Sequence, residues 1–233
     1  VSLETYTGII GTILAGIAVG AWAGGVLADR VSPRRLLPVL LMLGGALAIT
    51  AIPVVRVIGS GSPGGGGPMI LILSAFGFLP SATVLSAVPP AVIKLQLRNL
   101  DETGSIVGQL SAWSTAGAIF GTFFTGFVLV STAAVSTLIV STGLMLMFGG
   151  LAMAVFAGSA TTSTVAQTTE LMSIAGLATV SLLGVLTIVS PCETQTSYYC
   201  VAVVEDEDNA SQQVLVLDDL RHSSVDTDDP TVL

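Results

Sequence analysis

The side chains able to do chemistry are few, and the reactive ones gather near the C-terminal end. Cys192 and Cys200 are the only cysteines and His222 is the only histidine among 233 residues. Both cysteines in one short polar segment suggest a disulfide across a turn or hairpin, a reach that disulfide geometry allows, and that bond would need an oxidising compartment. The other reading is two unrelated thiols. A metal site built on them would find no further ligand nearby except His222, short of the four ligands of a structural zinc. A lone histidine suits general-base work, but without a partner constellation it reads as a surface or hairpin-packing residue. No catalytic residue and no bound cofactor are expected within this chain.

A second group is charged. Asp29, Arg30, Arg34 and Arg35 stand within Gly25-Val26-Leu27-Ala28-Asp29-Arg30-Val31-Ser32-Pro33-Arg34-Arg35, between two apolar stretches. A third motif, Gly59-Ser60-Gly61-Ser62-Pro63-Gly64, satisfies the G-x-G-x-x-G spacing of dinucleotide-binding loops. That chemistry needs a strand before the loop and a helix N-terminus after it, so that amides converge on a pyrophosphate. Here the loop joins two apolar stretches and Pro63 removes an amide, so Gly59–Gly67 is read as a linker.

The elements that must position these residues are membrane helices. The chain is 52% hydrophobic and 9% charged, with a mean hydropathy of +0.89, whereas soluble domains carry about 25% charged residues. The apolar residues arrive in blocks of the ~20 residues that a bilayer-crossing helix requires. Six spans can be drawn: Tyr6–Ala28, Leu36–Val55, Met69–Val88, Ile106–Val130, Val135–Ala157 and Leu171–Ser190. The third is interrupted by Pro80, and the sixth is rich in Thr and Ser. Gly16, Gly20 and Gly24 recur every four residues, as do Gly117 and Gly121. Such stripes let helix backbones approach closely, which predicts a contact face on the first span and suits helix-mediated oligomers. The expected fold is mainly α, a polytopic transmembrane helical bundle of about six spans over residues 1–191, with a short β-hairpin tail over 192–233.

Charge sets the orientation. Arg30, Arg34 and Arg35 lie between the first two spans, and Lys94 and Arg98 lie between the third and fourth. The intervening loop carries only Arg56. By the positive-inside rule the two basic loops face the cytoplasm, and counting six spans puts the tail after Pro191 outside it. The tail holds ten acidic residues against one basic, Arg221, while the rest holds five acidic and six basic. A tail this negative argues against nucleic acid, whose phosphates need Lys and Arg. It is compatible with polyamines or other small cations, although a solvated acidic surface is the commoner reason for such a charge. The chain opens on Val1 in a polar stretch with Glu4 and no basic n-region, which predicts a trimmed start rather than a secretory signal. In the tail, Tyr198–Val204 and Val214–Leu217 read as strands, with Glu205-Asp206-Glu207-Asp208-Asn209 between them as the turn.

Two resemblances attach to these residues. The Gly25–Arg35 stretch resembles the G-x-x-x-D-R-x-G-R-R loop of major facilitator transporters, with Ser32 and Pro33 replacing its Gly-Arg. In that family the Asp and Arg residues form a charge relay between cytoplasmic helix ends, and the register would make Tyr6–Ala28 the family's second helix. The tail is the more specific match. Glu193-Thr194-Gln195-Thr196-Ser197-Tyr198-Tyr199, then Val201-Ala202-Val203, then Leu215-Val216-Leu217-Asp218-Asp219-Leu220-Arg221-His222-Ser223 resemble the N-terminal hairpins of spermidine synthases.

The joint order looks like the membrane-fused spermidine synthase-like proteins of bacteria. That resemblance implies a membrane anchor for an aminopropyltransferase using decarboxylated S-adenosylmethionine. The two family glutamines that hold substrate become Cys200 and His222 here, and the Gly of L-D-G becomes Asp219. The family's cofactor loop and catalytic Asp would lie beyond this hairpin, so the chain itself is not expected to catalyse the transfer.

Overall fold

The computed structural model describes residues 3–60, 67–97 and 103–157, positions 176, 179, 182–183 and 185–186, and 194–195, 200–205, 212–217 and 220–226. The helices in chain order are α1 (Leu3–Arg30), α2 (Pro33–Ser60), α3 (Gly67–Gly77), α4 (Leu79–Ser86), α5 (Val88–Gln96) and α6 (Thr103–Phe124). A π turn over Thr125–Leu129 and the short α7 (Val130–Thr132) continue α6, and α8 (Val135–Ala157) comes next. Four helical stretches are long and apolar enough to cross a membrane: Tyr6–Arg30, Pro33–Ile58, Thr103–Thr132 and Val135–Phe156. They match the first, second, fourth and fifth expected spans.

The third span differs from expectation. It is a broken element, Leu71–Gly77 followed by Leu79–Gln96 with a 45° bend, and it runs on to Gln96 rather than ending at Val88. Its prolines are tolerated because of where they fall. Pro80 opens α4 and Pro89-Pro90 open α5, within first turns where amides have no intrahelical acceptor to lose. The expected sixth span, Leu171–Ser190, lies largely outside the described residues, although its positions 176, 179, 182–183 and 185–186 are helical.

The chain divides into two compact units, Val1–Ile119 with Ile139–Ile188, and Phe120–Leu138 with Val189–Leu233. In the first, α1 and α2 both pack on the broken element α3–α4–α5. Leu36, Leu37 and Leu40 of α2 meet Ala28 of α1 and Ala87 and Ala91 near the α4–α5 break. Farther along α2, Met42 and Ala46 pack with Met147 of α8. α2 is thus the central helix, half buried over its apolar window, whereas the α6 window has no buried residue.

The glycine stripe of α1 faces this core. A Cβ on Gly16 would sit 3.2 Å from the Thr83 hydroxyl and 3.3 Å from the Leu79 carbonyl. One on Gly20 would run into the Thr83 backbone, and one on Gly24 would lie 2.6 Å from the Ala87 Cβ. The spacing therefore marks a helix contact. The matching pair on α6, Gly117 and Gly121, faces open space.

The second unit contains an antiparallel sheet in the order β1-β2-β3-β4. Its strands are β1 (Thr194–Gln195), β2 (Cys200–Glu205), β3 (Gln212–Leu217) and β4 (Leu220–Asp226). The expected hairpin is β2–β3, with Val203 opposite Leu215 and Val204 opposite Val214. Val214 is buried at 3% exposure. β1 and β4 add two strands to the two expected of the hairpin.

Candidate functional site

Asp29 and Arg30 are the last two residues of α1, and Arg34 and Arg35 lie in the first turn of α2. Only Val31 and Ser32 separate the helices. Val31 N–H still donates to the Leu27 carbonyl at 2.9 Å, and the Ser32 carbonyl accepts from Arg35 and Leu36 N–H at 3.0 and 3.1 Å. The turn is tight because Pro33, opening α2, needs no acceptor for an N–H. The four charged residues therefore project from helix ends rather than from a loop.

At the end of α1, a negative side chain faces unpaired carbonyls and is unfavourable. Asp29 is compensated from elsewhere: Lys94 Nζ, in the last turn of α5, donates to Asp29 Oδ1 at 2.7 Å. The ammonium also suits the carbonyl-rich end of its own helix. The side chains are 49% and 68% exposed for Lys94 and Asp29, so the pair is a surface link of modest strength. In the sequence, Lys94 belongs to a separate loop and has no evident partner. The usable signal is that both residues belong to segments assigned to the same side. Arg30, Arg34 and Arg35 are exposed as well.

Arg56 also differs from expectation. A lone charge after an apolar block reads as a loop residue, but α2 continues to Ser60, which places Arg56 one turn inside the helix. Its guanidinium Nη1 donates to the Val185 carbonyl at 3.0 Å. A long arginine stem can lie along an apolar helix while its head reaches a polar partner, so the charge does not end the helix.

The G-x-G-x-x-G stretch begins on the last two residues of α2. A helix, not a strand, precedes it, so the geometry required for pyrophosphate binding is not met. Gly61–Gly66 lie outside the described residues.

In the sheet, Cys200 opens β2 opposite Gln195. Cys192 lies outside the described residues, and the expected Cys192–Cys200 pairing falls there with it. On β4 the register passes from Ser223, opposite Leu215, to Arg221, opposite Val216. His222 has no residue opposite and is the extra residue of a β-bulge. Bulges re-aim side chains, and His222 is exposed. The sheet thus holds Cys200 and His222 on β2 and β4, with β3 between them.

Compared with protein-family models, curated proteins and solved structures, the chain matches none of them.

Proposed function

We propose that this chain is the multi-pass membrane anchor region of a spermidine synthase-like protein, leading into the first strands of an aminopropyltransferase-like domain. The observation that carries the reading is the joint order of elements. Membrane-length apolar helices precede a β meander, and those of the resembling residues that are described, Thr194-Gln195, Val201–Val203, Leu215–Leu217 and Leu220–Ser223, lie on β1, β2, β3 and β4. In the proposed arrangement the helices cross the cell membrane, the basic corner at Arg30, Arg34 and Arg35 faces the cytoplasm, and the tail lies outside it. Decarboxylated S-adenosylmethionine enters as a co-substrate only where a complete synthase domain comes after the hairpin. The amine would then attack the aminopropyl carbon next to the sulfonium, the carbon–sulfur bond breaking to release a neutral thioether, so the catalytic demand is positioning and removal of the amine's proton.

The test is to express the complete reading frame, isolate membranes by alkaline extraction, and assay transfer of a labelled aminopropyl group onto putrescine. Retention in the extracted membrane with transfer supports the proposal. Release of the protein into the alkaline supernatant sinks the anchor, and retention without transfer sinks the synthase assignment. Thiol labelling of intact cells reads the side of the tail: Cys200 reacting only in lysed cells would place it in the cytoplasm.

A second reading is a major facilitator-like transporter or transport accessory. The Asp29–Lys94 pair favours it, because it links two helix ends through the Asp of the resembling motif. Substrate uptake into proteoliposomes that depends on Asp29 would select this reading.

A further inference from the structure

Three arginines crowd the α1–α2 corner. Arg30 ends α1, and Arg34 and Arg35 stand in the first turn of α2, all of them exposed. Among the described residues of the first unit, the only carboxylates are Glu4, at the opposite end of α1, and Asp29, which Lys94 holds. The corner therefore keeps a positive charge that no carboxylate of these residues balances.

Arg34 and Arg35 also head one stripe of α2. Residues at i+3, i+4 and i+7 share a helix face, which places Pro38 and Met42 on the same side as the two arginines. That side meets α8. A Cβ on Gly150 would lie 2.8 Å from the Pro38 carbonyl, and one on Gly143 would lie 2.8 Å from the Gly45 carbonyl. α8 thus runs antiparallel to α2 in close contact, with its later residues nearer the arginines. Between the two helices runs an apolar groove of about 530 Å³, lined by Met42 of α2 and by Leu144, Met145, Met147, Phe148 and Leu151 of α8. Met42 is 4% exposed, whereas Met145 and Phe148 are 78% and 75% exposed. Methionine side chains adapt to an irregular apolar guest. α8 carries no charged residue.

The depth of the groove fits a lipid. The apolar run Leu36–Val55, between Arg35 and Arg56, holds twenty residues. At ~1.5 Å per residue it spans about 30 Å, the thickness of a bilayer's hydrocarbon core. Arg34 and Arg35 then stand at the level of the phosphates. Met42 follows Arg35 by seven residues, ~10 Å along the axis. That is past a headgroup layer of roughly 5–8 Å and level with acyl chains.

Charge selects the occupant. A second copy in the same membrane orientation would bring its own arginines to the same level, where like charges repel. A phospholipid with a net negative headgroup suits both halves of the site. Guanidinium groups pair with phosphate in bidentate fashion, the apolar groove takes a chain, and basic sites between membrane helices bind such headgroups. We propose that the α2–α8 groove holds an anionic diacyl phospholipid, its phosphate at Arg34 and Arg35 and one acyl chain along Met42 and Phe148. The proposal rests on the membrane-anchor reading above.

The test reconstitutes the full chain in nanodiscs doped with phosphatidylglycerol or phosphatidylcholine, each bearing a diazirine in mid-chain, and maps the crosslinked peptides. α6, whose apolar window has no buried residue, reports ordinary lipid contact in the same sample. Phosphatidylglycerol should label Leu144–Leu151 at least about fivefold more than phosphatidylcholine, while both label α6 equally. Arg34→Gln and Arg35→Gln should each weaken that preference by up to about fivefold, the scale of one basic residue at a membrane surface. The double glutamine variant should abolish it, and the double lysine variant should keep part of it. Headgroup-blind labelling of Leu144–Leu151 in the wild type overturns the proposal, with no variant needing to fold. An unchanged preference in a double variant that circular dichroism shows folded overturns it too. Saturable binding of glycerol phosphate without any lipid preference would make the corner a soluble-phosphate site, and crosslinked dimers with an unlabelled groove would give it to a second copy; either result ends the lipid site. Alkaline extraction separates the two readings: release of the chain sinks the membrane anchor and the lipid site together, whereas retention with headgroup-blind labelling sinks the lipid site alone.

Discussion

The Lys94 ammonium lies 2.7 Å from the Asp29 carboxylate, so one ion pair ties the C-terminal end of α1 to the last turn of α5. The two residues stand 65 positions apart in the chain. Both side chains are well exposed, and water and salt screen the attraction. Asp29→Asn or Lys94→Met is therefore expected to cost less than about 1 kcal/mol. The swapped double variant D29K/K94D should recover most of that loss. Thermal unfolding of the double-mutant cycle at low and high salt checks this, and a coupling that survives high salt would contradict a surface pair.

The glycine stripe makes a sharper prediction. Gly20 and Gly24 of α1 meet the backbone and Cβ atoms of Thr83 and Ala87, which cannot rotate away as a long side chain can. Gly20→Ala and Gly24→Ala should each destabilise the helical unit by about 1–3 kcal/mol. Gly117→Ala and Gly121→Ala meet nothing within 4 Å and should be neutral or stabilise by up to about 1 kcal/mol through helix propensity. Melting temperatures of the four variants in one detergent give the comparison. Equal losses at both stripes would remove the distinction.

Arg56 holds the Val185 carbonyl at 3.0 Å. A hydrogen bond from a charged donor contributes about 1.5–3 kcal/mol, and Arg56→Met should lose a good part of it. Hydrogen exchange should quicken around Val185 in that variant and not along α1. Uniform quickening throughout the chain would mean that Arg56 matters to the whole fold rather than to this contact.

In the sheet, Val214 is 3% exposed and pairs across strands with Val204. Val214→Ala should cost about 1–3 kcal/mol for the buried methyls removed. His222→Ala, at an exposed bulge position, should change stability by no more than about 0.5 kcal/mol. Urea unfolding followed by tyrosine fluorescence reports on this region through Tyr198 and Tyr199.

Four spans were legible in the sequence because hydrophobic blocks of membrane length leave few alternatives to a helix. Their ends were less so. Arg30, Arg34 and Arg56 look like loop markers in the sequence, yet each lies within a helix, because a charge at a helix end can reach outward without breaking the backbone. Pro80 did signal a break, but the run beyond it stayed helical because Pro89 and Pro90 also occupy first-turn positions. The β2–β3 hairpin was legible from its valines and leucines. β4, with Arg221, His222, Ser223 and Ser224 in a row, has no such apolar alternation and is defined by pairing with β3. Lys94 as the partner of Asp29 was not legible, since nothing local links residues so far apart.

The π turn at Thr125–Leu129 has a consequence for how this chain tolerates changes in length. In a regular helix, losing one residue swings every later side chain by about 100° around the axis. A π turn carries one residue more than the α register needs, so trimming a residue between Thr125 and Leu129 would return the stretch to ordinary winding. Val130, Ser131 and Thr132 would then stand on the ordinary α register relative to the Phe120–Phe124 ring stack that precedes the π turn. This stretch is the point in α6 and its continuation where the reading frame of the helix can slip by one without reorienting the residues beyond it.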